Sequence, residues 1–133
     1  MIFVDSDAFL GLSVKKDAHF KKAWKLMEYL EEQEDQLVTS WQVVDEVTTK
    51  LSFYAAKKKA LDFLKWIFNS DVRIQYVDEK LIGKIIRQFK KQTSKRVSLT
   101  DCTNMVIAKK LGVKTFFSFD KHYEKNGFEL LKV

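Results

Sequence analysis

The amino-acid sequence predicts an α/β domain with a central, mainly parallel sheet of four to five strands flanked by helices. Two observations predict it. Short apolar runs alternate with longer segments of helical spacing, the pattern of strand–helix–strand units. The first of those runs, IFVD at residues 2–5, is a short apolar run ending in an acid, and such a run suits a buried parallel strand. There is no proline, there are only four glycines, and no linker or internal repeat divides the chain. A single domain over residues 1–133 is therefore expected.

The elements follow in order. Residues 2–5 read as a strand. Residues 17–34 carry Phe20, Ala23, Trp24, Met27 and Leu30 at helical spacing. LVTS at 37–40 is a second strand, and Trp41 to Tyr54 and Lys57 to Phe68 are two helices. VRIQYV at 72–77 is a third strand. Residues 79–91 form a helix expected to turn Leu81, Ile82, Ile85, Ile86 and Phe89 inward. Residues 99–111 form another, which Ser98 can cap and Gly112 stop. TFFSF at 115–119 is a fourth strand, and the final FELLKV is a fifth.

Composition narrows the function. At 46% hydrophobic and 14% aromatic residues, 133 residues can build a proper core. A single cysteine, Cys102, excludes an internal disulfide, and with only two histidines argues against a structural zinc site. The N-terminal MIFVDSDAFLGLSV has no basic flank, and aspartates interrupt it, so it is not read as a signal peptide. No apolar run is long enough to span a bilayer. The expected location is the cytoplasm, with no membrane partner. The net charge is +6 and unevenly spread. Lys80 to Thr100 holds seven basic residues and no acid; Leu26 to Thr49 holds seven acids and no base. Within the basic stretch, Lys84 to Arg96 is the candidate contact for a phosphate backbone; the alternative is a solvated lysine-rich helix face.

In parallel sheets ligands bind beyond the carboxyl ends of the strands. Asp5 ends the first strand, Asp120 follows the fourth, and Asp101 opens the helix just before it. The helix after the second strand offers Asp45 and Glu46. Its apolar face is set by Val43, Val44, Val47 and Leu51. At about 100° per residue, Glu46 falls on the shoulder of that face and Asp45 close to the opposite side. Glu46 is therefore the candidate for a cleft, and Asp45 a surface acid. Four carboxylates brought to one mouth resist ionising together unless a divalent cation joins them. All-oxygen ligands select Mg²⁺ or Mn²⁺, and such an ion can activate water against a phosphodiester. Acids for a metal beside a basic segment spell a nuclease.

With these residues in place the sequence resembles the PIN-domain family, and most closely its small toxin ribonucleases of the VapC type. Four stretches carry the resemblance: IFVDSDAFL, TSWQVVDEV, SLTDCTNMVIAKKLGV and FFSFDKHYEKNGFELL. They lie in the family's order and cover nearly the whole chain. The resemblance implies a PIN-like domain and a metal-dependent endoribonuclease with an acidic pocket at Asp5, Glu46, Asp101 and Asp120. It matches Ser6 and Ser118 to hydroxyl positions of the family. It also implies a homodimer and a small antitoxin that covers the cleft of a type II toxin. Cys102 stands where a small residue such as alanine is common, and Asp7 is an additional acid.

Asp5 and Asp101 are the expected direct metal ligands. Glu46 and Asp120 complete the pocket directly or through water, and the Ser6 hydroxyl orients Asp5 or a bound water. Asp101 is expected to point into the cleft and not back onto the Ser98 amide. Whether Asp7, Thr100 and Asn104 belong to the site is open. Trp24, Phe63, Trp66 and Phe68 suit a core or a dimer seam, and His19 and His122 read as surface or turn residues. Two alternatives differ in kind. VDSDAF also suits an aspartate-nucleophile phosphatase of the haloacid-dehalogenase type, with Asp5 as nucleophile and Asp7 as acid; the chain is short for that fold. A non-catalytic PIN-like module that binds RNA or protein is the other.

Overall fold

The computed structural model describes residues 1–133. Its elements in chain order are β1 (Ile2–Val4), α1 (Ser6–Ser13), α2 (Phe20–Glu32), β2 (Leu37–Ser40), α3 (Trp41–Tyr54) and α4 (Lys57–Asn69). There follow β3 (Arg73–Gln75), α5 (Glu79–Lys90), α6 (Leu99–Leu111), β4 (Thr115–Phe117), α7 (His122–Lys125) and β5 (Glu129–Leu130). The five strands form one sheet in the order β3-β2-β1-β4-β5, and every pairing is parallel. No helix is long and apolar enough to cross a membrane.

The chain builds outward from β1 through β2 to β3, then returns to lay β4 on the other flank of β1. That reversal opens a crevice at the carboxyl ends of β1 and β4, where parallel sheets bind ligands. β1 is buried on both faces, which is why IFV is an unbroken apolar run. Phe3 stacks on Phe116 of β4 with ring centroids 4.9 Å apart. The ladder continues one residue beyond the strand, since the Asp5 N–H donates to the Phe117 carbonyl at 3.1 Å. Asp5 is thereby fixed to the sheet it terminates.

Two expectations are corrected. The sequence reading had no helix at 6–13, where α1 starts directly on Asp5 as its N-cap. Eight residues, SDAFLGLS, carry too little periodicity to stand out. On α5, Leu81 and Ile85 are buried, but Ile82, Ile86 and Phe89 are 45–49% exposed, and Gln88 is buried in their place. α5 packs chiefly on α6, so it buries the narrow 81–85–88 stripe, and the rest of its apolar face turns outward. Of the aromatics expected in a core or a dimer seam, Phe63 is buried in the core, whereas Trp24, Trp66 and Phe68 stand 42–55% exposed.

Candidate active site

The site begins with Asp5, which is 4% exposed. Its Oδ1 accepts from the Ser6 N–H at 2.8 Å and from Asn104 Nδ2 at 3.4 Å; its Oδ2 accepts from the Ser118 hydroxyl at 3.0 Å. Burial pushes the Asp5 carboxyl well above the usual range, and repulsion from Asp7 and then Asp101 adds to it; the Ser6 amide and Ser118 hydroxyl only partly offset this. Ser6, whose hydroxyl was expected to orient Asp5 or a bound water, meets Asp5 through its backbone N–H.

Asp7 belongs to the same cluster. Its Oδ2 accepts from the Phe119 N–H at 2.9 Å and from Ser118 at 3.3 Å. Its Oδ1 is buried with no partner. Burial, with Asp120 adding repulsion, pushes its pKa up to about 6; the Phe119 amide, Ser118 and His19 pull the other way. An orphaned buried carboxylate oxygen is costly and calls for a proton or a cation.

Asp101 is at the third position of α6 and departs from expectation. It forms a complete capping box: the Ser98 hydroxyl accepts from the Asp101 N–H, and Asp101 Oδ2 accepts from the Ser98 N–H at 2.9 Å. One oxygen is thus spent on the helix start, as the sequence reading had ruled out. Only Oδ1 is left on the cleft side, where the Tyr123 hydroxyl donates to it at 3.5 Å. Burial raises the Asp101 pKa and Asp120 raises it further, against the Ser98 amide and His122. Asp120 accepts from the His122 N–H at 3.0 Å, and its Oδ1 lies 3.5 Å from His122 Nε2.

Glu46 stands apart. It is partly exposed on α3 and lies 3.9 Å from Lys50 one turn along. It shares no hydrogen bond with the aspartates and is not among the charges that act most on them. Thr100 makes no side-chain hydrogen bond to the cluster.

Residues the sequence reading left open or missed hold the aspartates in place. Asn104, fully buried, donates to both Asp5 and the Tyr123 hydroxyl and accepts from the Ser40 hydroxyl at 2.7 Å. Ser40 also caps α3 through the Val43 N–H, so one hydroxyl ties β2, α3 and α6 to the site. Tyr123 is fully buried and stacked on Phe116 at 4.0 Å, which aims its phenol into the cluster. Burial drives its pKa well up, with Asp5 and Asp101 contributing. A signal existed for Asn104, three residues after Asp101 and therefore on the same side of the helix. His19 and His122 are not idle turn residues: His19 stacks on Phe119 at 4.1 Å, and both temper the aspartates' repulsion.

As they lie, no three of the His, Cys, Asp and Glu side chains are gathered closely enough to hold an ion. The donor chemistry nonetheless fits a hard divalent cation: oxygen ligands only, raised proton affinities, and the unpartnered Asp7 Oδ1.

A family model described as PIN domain matches residues 2–129. No curated protein sequence matches the chain. Among solved structures, the chain is similar to a Mycobacterium tuberculosis protein described as VapC20, a Sarcin-Ricin loop cleaving toxin. The two share 22% sequence identity, the match covers 96% of each chain, and the TM-score is 0.85. At that identity the likeness speaks for the fold.

Proposed function

The chain belongs to the PIN-domain family, and from that premise we propose that it is a metal-dependent endoribonuclease cutting RNA at the aspartate cluster. Mg²⁺ or Mn²⁺ is the proposed cofactor. The observation that carries this reading is the convergence of Asp5, Asp7, Asp101 and Asp120 at one mouth of the sheet, where Asp7 and Asp101 raise the proton affinity of Asp5 and Asp120 raises that of Asp7 and Asp101. Such a cluster is stable in its charged form only with a cation beside it. The family match sets aside the phosphatase alternative.

Asp5, Asp101 through Oδ1, and Asp120 would hold the ion, with Glu46 contributing through water once released from Lys50. A divalent ion held there would supply Lewis-acid polarisation of a phosphodiester and a nucleophilic water near neutral pH. The chain's own residues supply the positioning. Ser118 and Asn104 fix the two oxygens of Asp5, and the capping box fixes the carboxylate plane of Asp101. Tyr123 keeps its proton and donates it as a hydrogen bond toward Asp101.

The toxin role is part of the same proposal, supported by the fold shared with a toxin that cleaves the sarcin–ricin loop. A small antitoxin is the proposed protein partner. A homodimer is also proposed, and the exposed Trp24, Trp66 and Phe68 offer apolar surface for it.

The test is cleavage. Purified protein is incubated with an RNA carrying a sarcin–ricin-type loop and with single-stranded RNA, in Mn²⁺ or in chelator. Cleavage in Mn²⁺ that disappears in chelator, in Asp5→Asn and in Asp101→Asn is expected. Cleavage that persists in chelator or survives both substitutions rules out a metal nuclease at this site. Absence of any cleavage would favour the binding-module alternative.

A further inference from the structure

The cations of α5 do not form a simple linear tract. Lys84, Arg87 and Lys91, at i, i+3 and i+7, share one side of the helix. Across from them stand Lys109 and Lys110 in the last turn of α6. Together they line a groove of about 390 Å³ between the two helices. No acid lines it. None of the five enters an ion pair. A lysine-rich face that serves only solubility has acids interspersed to relieve repulsion; this groove has none.

Its wall is built as well as charged. Gln88, 6% exposed, accepts from Lys109 Nζ at 3.1 Å, and its Nε2 donates to Asn126 Oδ1 at 3.3 Å. Asn126 in turn donates to the His122 carbonyl at 2.8 Å. The groove is therefore tethered to α7, the segment that carries His122 beside Asp120.

We infer that this α5–α6 groove is a second RNA-binding site, which grips the phosphate backbone of the substrate away from the aspartate cluster. The occupant follows from the lining. Only Leu81 and Val106 are apolar, too little for the anchoring face of a protein helix. No aromatic ring lines the groove, so bases have nothing to stack on and the contact is independent of sequence. Arg87 offers the planar fork that suits phosphate oxygens. The inference rests on the proposal that the substrate is RNA, and its test is independent of cleavage.

The test uses binding without turnover. Asp5→Asn protein in chelator is titrated with a fluorescein-labelled RNA hairpin at several salt concentrations. It is compared with the same protein carrying Lys84→Gln, Arg87→Gln and Lys110→Gln; Lys109 is kept because it holds Gln88. The triple substitution is expected to weaken binding roughly tenfold. It should also reduce the slope of log affinity on log salt by about 2, for three lost phosphate contacts at ~0.7 each. A control with the same charge change on other elements, Lys25→Gln, Lys57→Gln and Lys65→Gln, is expected to lose less than about twofold. Unchanged affinity and slope in the groove variant, or an equal loss in the control, overturns the inference. So does poly-glutamate that displaces the hairpin as well as unlabelled RNA does, which would assign the groove to an acidic protein segment. If wild-type protein cuts no RNA yet the groove variant binds it more weakly, the nuclease proposal falls and the groove stands.

Discussion

The aspartate cluster and the α5–α6 groove are both gatherings of like charge, and the protein treats them in opposite ways. Asp5 is buried and Asp7 and Asp101 are partly so; the three are tied to the backbone amides of Ser6, Phe119 and Ser98 and driven toward the protonated form. The cations stand in solvent on two helix surfaces, where screening keeps their mutual repulsion small. Burial converts repulsion into proton and metal affinity at fixed geometry; exposure leaves charge free to meet a long, flexible polyanion. The first arrangement suits chemistry on one bond. The second suits holding a chain.

The sharpest way to break that contrast is Asp5→Asn. RNA cleavage is expected to fall by about a hundredfold or more, since even the residues supporting a metal ligand are worth ~10–100-fold. Affinity for RNA in chelator should change less than about twofold if the groove does the holding. The melting temperature should hold or rise, because a buried, disfavoured charge is removed. Equal loss of cleavage and binding would merge the two regions into one.

The next effect is on stability. The folded pKa of Asp7 is about 6, above an unfolded value near 3.8. Between those values the folded state binds more protons than the unfolded state, so this residue makes stability fall as pH rises. The contribution is at most about 3 kcal/mol across the window. Denaturation in chelator from about pH 4 to pH 7 should show that decline, and Asp7→Asn should flatten it. Mn²⁺ should restore stability most at the upper end, where the carboxylates are charged.

Asn104→Ala cuts the link between Ser40, Asp5 and Tyr123. We expect a loss of about 2 kcal/mol in stability and a fall in cleavage of ~10-fold or more, read by urea denaturation and by single-turnover kinetics. Glu46→Gln should have the smallest effect, a fall in cleavage of less than about tenfold, since its charge is paired with Lys50 outside the cluster. A loss as large as that of Asp5→Asn would mean that Glu46 leaves Lys50 and binds the ion directly.

Much of the frame was legible before any coordinates. The strands at 2–5 and 37–40 and the helices at 41–54 and 99–111 were readable because strand and helix periodicities are properties of neighbouring residues. The gathering of Asp5, Asp101 and Asp120 at one edge was readable because strand exits and helix starts of a parallel α/β sheet meet there. Asp7 stayed open because nothing near it in sequence says that Phe119, 112 residues away, will offer it an amide. The outward turn of Ile82, Ile86 and Phe89 was unreadable because periodicity reports an apolar face, not how much of it a neighbour covers.

The sequence by itself determined the α/β alternation, the acids at the strand ends and the cap that starts α6, all of them set by contacts within a few residues. The tertiary structure alone decided that Ser40, Asn104, Ser118 and Tyr123 close around Asp5. It also decided that Lys109 and Lys110 face the cations of α5. The partners around Asp5 are separated by 19 to 113 residues, and packing brings such partners together where local pattern does not reach.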